Sequence, residues 1–180
     1  MAFGNETQRA EFFPREPSAA WRIYCGMTTN DEKTVLILNE LMLAARDAEQ
    51  GFQAAADRAQ KRELIELFAA FSLQRAKFAK ELEQRIRTLR ATPARLPSPL
   101  AAAHRAWMNA RMAFESNQAH ALLAECERGE DLAVKAWATA LKDPDLDGQT
   151  RDLVQVQYEQ VQAAHDRIRQ LRDSAEYAFR

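Results

Sequence analysis

Four ionisable side chains interrupt stripes of apolar residues that otherwise continue along four segments of the chain. In the segment ALLAECERGEDLAVKAW, a count in steps of three and four residues along the apolar positions arrives at a glutamate. The same count along three other segments arrives at one ionisable residue in each. The four residues are Glu49, Arg75, Glu130 and His165. Since such stripes form the seams of helical bundles, the pattern predicts that these side chains point into a core.

These side chains have the chemistry to neutralise one another inside a core. An unpaired buried charge costs several kcal/mol. Arg75 offers a fixed fork of N–H donors to Glu49 and Glu130, and His165 can donate to either carboxylate. Gln162, one helical turn before His165, adds an amide. We therefore predict a buried polar layer formed by Glu49, Arg75, Glu130, His165 and Gln162.

A metal site is the alternative use of the same residues. Carboxylates and imidazoles bind iron and manganese, so Glu49, Glu130 and His165 could hold one such ion if Arg75 swings away. A guanidinium among them repels a divalent cation and pairs with the carboxylates, which favours a layer without metal. Cys126, one turn before Glu130, fits a small core residue better than a soft ligand or a redox thiol.

The composition of the chain is typical of long helices. It is 47% hydrophobic and 28% charged, with only five glycines and six prolines. No segment of alternating β-branched residues indicates a strand. Helical periodicity and its breakers predict a short helix over residues 100–114 and four long helices, over 31–59, 62–90, 119–142 and 149–175.

The lengths of the connections predict how the helices are arranged. Short turns join the first and the last pair of long helices, whereas TPARLPSP and the short helix separate the second from the third. Such a crossover gives an all-α four-helix bundle with up-down-down-up topology. Glu49 and Arg75 then differ in height by under one helical turn, ~5 Å, and Glu130 and His165 by a similar amount. All four residues can therefore share one layer.

Four segments in this order along the chain resemble a known family. They are DAEQGFQAAA, QRAKFAKEL, AECERGEDLAVKAW and AAHDRIRQLRD, and HRAWM in the crossover belongs to the same pattern. From about residue 30 to residue 175, the chain is similar to an uncharacterised bacterial family of ferritin-like four-helix-bundle proteins, a domain of unknown function. The resemblance implies a ferritin-like fold with a crossover helix between helices 2 and 3, and no established activity.

The wider ferritin-like superfamily supplies a site for comparison. Its di-iron members use a Glu from each of two helices and a Glu-x-x-His motif from each of the other two. Glu49 and Glu130 resemble the two single glutamates. The fourth helix keeps His165 but has Gln162 where the motif has Glu, and the second helix has Arg75 and no histidine three residues later. The resemblance therefore implies a degenerate di-iron site without a cofactor.

Two functions from different classes follow from this resemblance. The first is a non-enzymatic bundle with a structural or interaction role, in stress physiology as for many relatives of this architecture. The second is an iron- or manganese-binding protein with oxidase or peroxide-handling activity, in which Glu49, Glu130 and His165 are the metal ligands.

Charge and cysteine content limit the compartment and the partners. A net charge of −1 gives no reason to propose nucleic acid or an anionic membrane as a partner. No apolar run reaches the ~20 residues that cross a bilayer. Two cysteines far apart in sequence do not form a disulfide framework, which favours the reducing cytoplasm. A surplus apolar face carrying Met108 and Met112 predicts a homo-oligomer and identifies no other protein partner.

The two ends of the chain are expected to lie outside the bundle. Between residues 1 and 29, the apolar residues follow neither helical nor strand spacing, and Pro14 and Pro17 interrupt them. This extension is expected to be disordered or to precede a native start at Met27. The bundle is expected over residues 30–175, followed by a short tail over 176–180.

Overall fold

The computed structural model of the chain describes residues 29–94 and 118–177. Within these stretches there are four helices and no strand: α1 (Thr29–Arg58), α2 (Arg62–Thr88), α3 (Gln118–Leu141) and α4 (Gly148–Asp173). The predicted all-α class and the four long helices are confirmed, and each helix ends within two residues of its predicted limits. The predicted extension up to residue 28, the crossover helix over 100–114 and residues 178–180 lie outside the described residues.

The turn between α3 and α4 shows how local chemistry sets the helix ends. Asp147 is the N-cap of α4, and its side chain accepts a hydrogen bond from the backbone N–H of Thr150 at 3.0 Å. Arg151 closes the end of α3, because its guanidinium donates to the carbonyl oxygens of Leu141 at 2.6 Å and Asp143 at 2.7 Å. Both ends of this turn therefore have partners for backbone groups that a helix leaves unpaired.

Contacts between helix ends establish the topology. The start of α1 meets the residues just after α3, where Asn30 donates to the carbonyl oxygen of Asp145 at 2.9 Å and Lys33 pairs with its carboxylate at 2.5 Å. The end of α2 meets the start of α4, where Arg85 donates to the hydroxyl of Thr150 at 2.8 Å. Because α3 therefore runs opposite to α1, and α4 opposite to α2, the predicted up-down-down-up order is confirmed.

The core of the bundle consists of two apolar clusters, one towards each end. The first cluster surrounds the start of α1 and the end of α2, and its largest members are Leu38, Met42, Phe78, Leu82, Ile86, Trp137 and Val154. The second cluster surrounds the α1–α2 connection, and its largest members are Phe52, Leu64, Phe68, Leu122, Leu123, Ile168 and Tyr177. Among the helices described, none combines the length and the apolar character that crossing a membrane requires.

Candidate functional site

A polar layer separates the two clusters near the middle of the bundle. On α2, Arg75 lies between Phe68 of the second cluster and Phe78 of the first. On α3, Glu130 holds the corresponding place between the two clusters. The side chains of Arg75 and Glu130 are 0% and 1% exposed, so both charges lie inside the core.

Arg75 and Glu130 form an ion pair across the centre of the bundle. Nη2 of Arg75 donates to Oε2 of Glu130. Since α1 and α4 each pack against both α2 and α3, the pair spans a diagonal and not a neighbouring helix contact. Nη1 of Arg75 donates to Oε1 of Gln74 at 2.8 Å, and its Nε is buried without a hydrogen-bond partner in the described part of the chain.

Aromatic rings from both clusters flank the guanidinium. Its carbon atom lies 5.2 Å from the ring centre of Phe78 in the first cluster and 5.8 Å from that of Phe52 in the second. A cation over an aromatic face is attracted by the ring quadrupole, and the attraction is larger where water is excluded. The rings therefore provide part of the environment that compensates for the loss of water around Arg75.

Burial and pairing act in opposite directions on the two charges. Burial raises the pKa of Glu130, while the charge and hydrogen bond of Arg75 and then the charge of His165 oppose that rise. Burial lowers the pKa of Arg75, and Glu130 opposes that change. A guanidinium has so high an ordinary pKa that it remains protonated in proteins. Glu130 is therefore the counter-ion of a permanent buried cation.

His165 lies at the edge of the layer, between α4 and α3. Its Nε2 is 3.0 Å from Oδ1 of Asp131 on α3, and its Nδ1 is 3.0 Å from Oδ1 of Asp166 on α4. Two carboxylate acceptors can both be satisfied only by an imidazolium, which carries a proton on each nitrogen. Partial burial lowers the pKa of His165, but the hydrogen bonds and charges of Asp166 and Asp131 outweigh it and leave the pKa raised.

The stability that these contacts contribute is expected to fall as pH rises. Because the pKa of His165 is raised in the folded chain, the contribution is complete below the ordinary histidine value of 6.5 and is lost as pH rises through the folded-state pKa. The charged groups involved are Asp131 and Glu130 on α3, Asp166 on α4 and Arg75 on α2. Exposed pairs of this kind contribute about 0.2–1 kcal/mol.

Urea unfolding of the wild type and His165→Gln, at about pH 6 and about pH 9, measures this dependence. The wild type is expected to be the more stable protein at the lower pH, with a smaller difference at the higher pH. An equal difference at both pH values would contradict a role for the imidazolium.

The other two residues of the predicted layer have different partners. Glu49 is half-buried, and its carbonyl oxygen accepts a hydrogen bond from Oγ of Ser72 at 3.0 Å. Its carboxylate makes no ion pair within residues 29–94 and 118–177. Gln162 is half-buried and donates to Asp166 at 3.2 Å. The structure therefore brings Arg75 and Glu130 into contact and places His165 near Glu130, whereas Glu49, Gln162 and His165 make none of the predicted direct bonds to the pair.

Sequence reasoning missed three partners of this site. Asp131 is exposed, and it also accepts a hydrogen bond from His165. Asp166 and Gln74 were not singled out, although each hydrogen-bonds to a residue that was. The sequence carries one signal for Asp131: it follows Glu130 directly and therefore lies at nearly the same height in the bundle.

The residues of the layer do not fit a metal centre of the di-iron type. In the part of the chain that the structure describes, no group of three or more His, Cys, Asp or Glu side chains converges as metal ligands. Oε2 of Glu130 is occupied by the guanidinium of Arg75, and both nitrogens of His165 are occupied by carboxylates. Burial, and then the charge of Glu130, raise the pKa of the Cys126 thiol, so that the reactive thiolate is disfavoured.

Comparison with known proteins identifies a family and no activity. The family model described as "Domain of unknown function (DUF2383)" matches residues 33–143, which is more than half of the chain. The matched part runs from α1 to the end of α3, so it includes Arg75 and Glu130 but neither His165 nor Gln162. Among curated proteins, no match to the chain is found.

Proposed function

We propose that the chain, which belongs to the DUF2383 family, is a non-enzymatic helical bundle of the ferritin-like type with a structural or interaction role. In this proposal, the polar layer stabilises one arrangement of the four helices and performs no reaction. The interaction partner that we propose is a second copy of the chain, which light scattering on the purified protein would detect. By analogy with the architecture, the role belongs to stress physiology.

The observation that carries this proposal is the buried contact between Arg75 and Glu130. A di-iron bundle concentrates carboxylates in its core and neutralises them with metal cations. Here, the guanidinium of Arg75 supplies the positive charge from within the chain, in a bond to one of the two remaining glutamates. The charge balance of the layer therefore requires no metal ion, and the donor set lacks the bridging carboxylate that Arg75 replaces.

Metal analysis of the purified protein tests the proposal directly. The whole chain is purified without chelator, soaked anaerobically in ferrous iron, passed through a desalting column and analysed for iron and manganese. We expect well below ~0.1 metal ion per chain before and after soaking, because three of the six ligands of the ferritin-like di-iron pattern are absent, at positions 75, 78 and 162. Oxidation of ferrous iron in air is expected to proceed at the rate of buffer alone.

Two variants make the outcome specific to the layer. Glu130→Gln keeps the volume of the side chain and removes its charge, and it is expected to leave the low metal content unchanged. Near-stoichiometric iron or manganese in the wild type, lost in Glu130→Gln, would overturn the proposal in favour of an oxidase or peroxide-handling protein. Arg87→Gln is the matched control, since that arginine is exposed and pairs with Glu83 on the surface of α2.

A further inference from the structure

The turn that follows α4 folds back against the end of the bundle. The backbone N–H of Ser174 donates to the carbonyl oxygen of Leu171, and that of Tyr177 donates to the carbonyl oxygen of Ser174, both at 3.1 Å. The side chain of Tyr177, which the sequence analysis assigned to a tail, is 1% exposed and belongs to the second cluster. Residues 174–177 are called the strap below.

The strap contacts two other elements. The ammonium of Lys61, in the α1–α2 connection, pairs with Glu176 at 2.5 Å and lies 4.3 Å from the ring centre of Tyr177. The carbonyl oxygen of Tyr177 lies 3.0 Å from Nδ1 of His120, in the first turn of α3. The strap thus ties the end of α4 to the start of α2 and to the start of α3.

The polar contacts that hold the strap closed are weak, although Tyr177 itself is buried. Lys61 and Glu176 are 46% and 56% exposed, so their ion pair is screened by water and salt. The hydroxyl of Tyr177 is buried without a hydrogen-bond partner of good geometry in the described part of the chain. Burial raises the pKa of Tyr177, the charge of Lys61 opposes that rise, and the adjacent carboxylate of Glu176 adds to it, but neither neighbour makes a hydrogen bond of good geometry with the hydroxyl. A buried hydroxyl without a partner disfavours the closed state.

We propose that the strap opens as a local unit, while the rest of the bundle stays folded, and that opening uncovers the end of the second cluster between Lys61 and His120. In the open state the hydroxyl of Tyr177 regains its bonds to water, and the apolar side chains beneath the ring become accessible. A short terminal segment that is anchored by one buried side chain and by exposed polar contacts can open below the free energy of global unfolding. The first cluster and the polar layer do not take part.

Amide hydrogen exchange on the whole chain tests the strap. In the wild type, the amides of Ser174 and Tyr177 are expected to exchange at a lower free energy of opening than that of Leu82 in the first cluster, with little dependence on dilute denaturant. Tyr177→Ala removes the ring and destabilises the closed strap, so it is expected to accelerate exchange at Ser174 by at least about tenfold, with the free energy of opening at Ser174 still below that at Leu82. Exchange of the strap only together with Leu82, at the same free energy, would overturn the proposal.

A second variant separates the strap proposal from simple loss of packing. Tyr177→Phe keeps the ring and removes the unpaired hydroxyl, so it is expected to slow the exchange of the strap by about threefold or more. Tyr158→Phe is the matched control, because this tyrosine is half-buried on α4 beside the first cluster, and it is expected to leave the strap unchanged. Faster exchange in Tyr177→Phe would show that the hydroxyl has a stabilising partner and would overturn the proposal.

Discussion

Replacing Arg75 with methionine is expected to lower the free energy of unfolding by about 3–5 kcal/mol, which is the usual cost of removing one partner of a buried ion pair. The substitution leaves the carboxylate of Glu130, 1% exposed, without its counter-ion. Burial already raises the pKa of Glu130, and the charge and hydrogen bond of Arg75 are the largest effects opposing that rise. Glu130→Leu is expected to cost a similar amount, because the guanidinium is then the unpaired charge.

The double variant Arg75→Met, Glu130→Leu is expected to be more stable than either single variant. Removing both charges leaves neither of them unpaired, and apolar side chains of similar volume can pack between the two clusters. Urea unfolding of the wild type, the two single variants and the double variant gives the coupling energy of the pair. Each midpoint and slope is compared, since a change in slope would report a change in the unfolded ensemble.

A surface pair provides the control for this cycle. Arg87 is 62% exposed and pairs with Glu83 at 2.7 Å on the outside of α2, so Arg87→Met is expected to change the free energy of unfolding by no more than about 0.5 kcal/mol. If Arg75→Met were equally harmless, Glu130 would be protonated or solvated in the folded chain. The account of the layer as a neutralised ion pair would then be wrong.

The pair also distinguishes correct from incorrect packing of the helices. The two clusters are apolar and similar in chemistry, so sliding one helix against another would still bury apolar side chains. Such a slide would separate Arg75 from Glu130 and leave two charges buried without partners, at the cost given above. Only the observed register brings the guanidinium to the carboxylate across the diagonal. This is the physical sense in which the layer has a structural role.

The fold could be predicted because its signals are local and repeated. Apolar spacing continues over about seven to eight turns in each long helix, so single exceptions such as Glu130 do not hide the period. The α3–α4 turn was identifiable from Asp147 and Gly148, which act as the N-cap and first residue of α4. Connection lengths then determined the topology, since a short turn permits only an antiparallel neighbour.

The site was predictable only in part, because spacing gives the position of a side chain's first atoms and not of its charged end. Glu49 and Glu130 both interrupt an apolar stripe, yet the carboxylate of Glu130 meets Arg75 and that of Glu49 does not. A glutamate side chain has three rotatable bonds and can turn from the seam towards water. His165 is hydrogen-bonded to Asp131 and Asp166 and not to Glu130. Which carboxylate the imidazole reaches depends on the distance between the helices, and the spacing of residues in the sequence does not give that distance.

Trp137 and Gln157 form a second buried polar contact, inside the first cluster, and substitutions there are expected to have the other large effect on the free energy of unfolding. Trp137 on α3 is 1% exposed, and its ring centre lies 6.5 Å from that of Phe78. Its Nε1 donates to Oε1 of Gln157 at 3.2 Å, and Gln157 is itself fully buried. The amide nitrogen of Gln157 donates to Glu81 at 3.0 Å, so the contact connects three helices. Trp137 therefore combines a large apolar surface with a polar bond that the core depends on.

Trp137→Ala is expected to lower the free energy of unfolding by about 3–5 kcal/mol, from the lost ring and the cavity that it leaves. Trp137→Phe keeps an aromatic ring but leaves Oε1 of Gln157 without its donor, and it is expected to cost about 1–3 kcal/mol. Both are measured by urea unfolding followed by circular dichroism. Leu132→Ala is the control on the same helix, since that side chain is 62% exposed and its loss is expected to change stability by no more than about 0.5 kcal/mol.

The difference between the two Trp137 variants separates packing from hydrogen bonding in the core. If Trp137→Phe and Trp137→Ala were equally destabilising, the bond to Gln157 would account for the effect and the ring would contribute little. If Trp137→Phe were neutral, the loss of the donor to Oε1 of Gln157 would cost nothing, and the first cluster would depend on apolar packing. The cost expected for Trp137→Phe lies between zero and that of Trp137→Ala, because the ring and the hydrogen bond each stabilise the core. The amide of Gln157 is buried where water cannot replace the indole N–H.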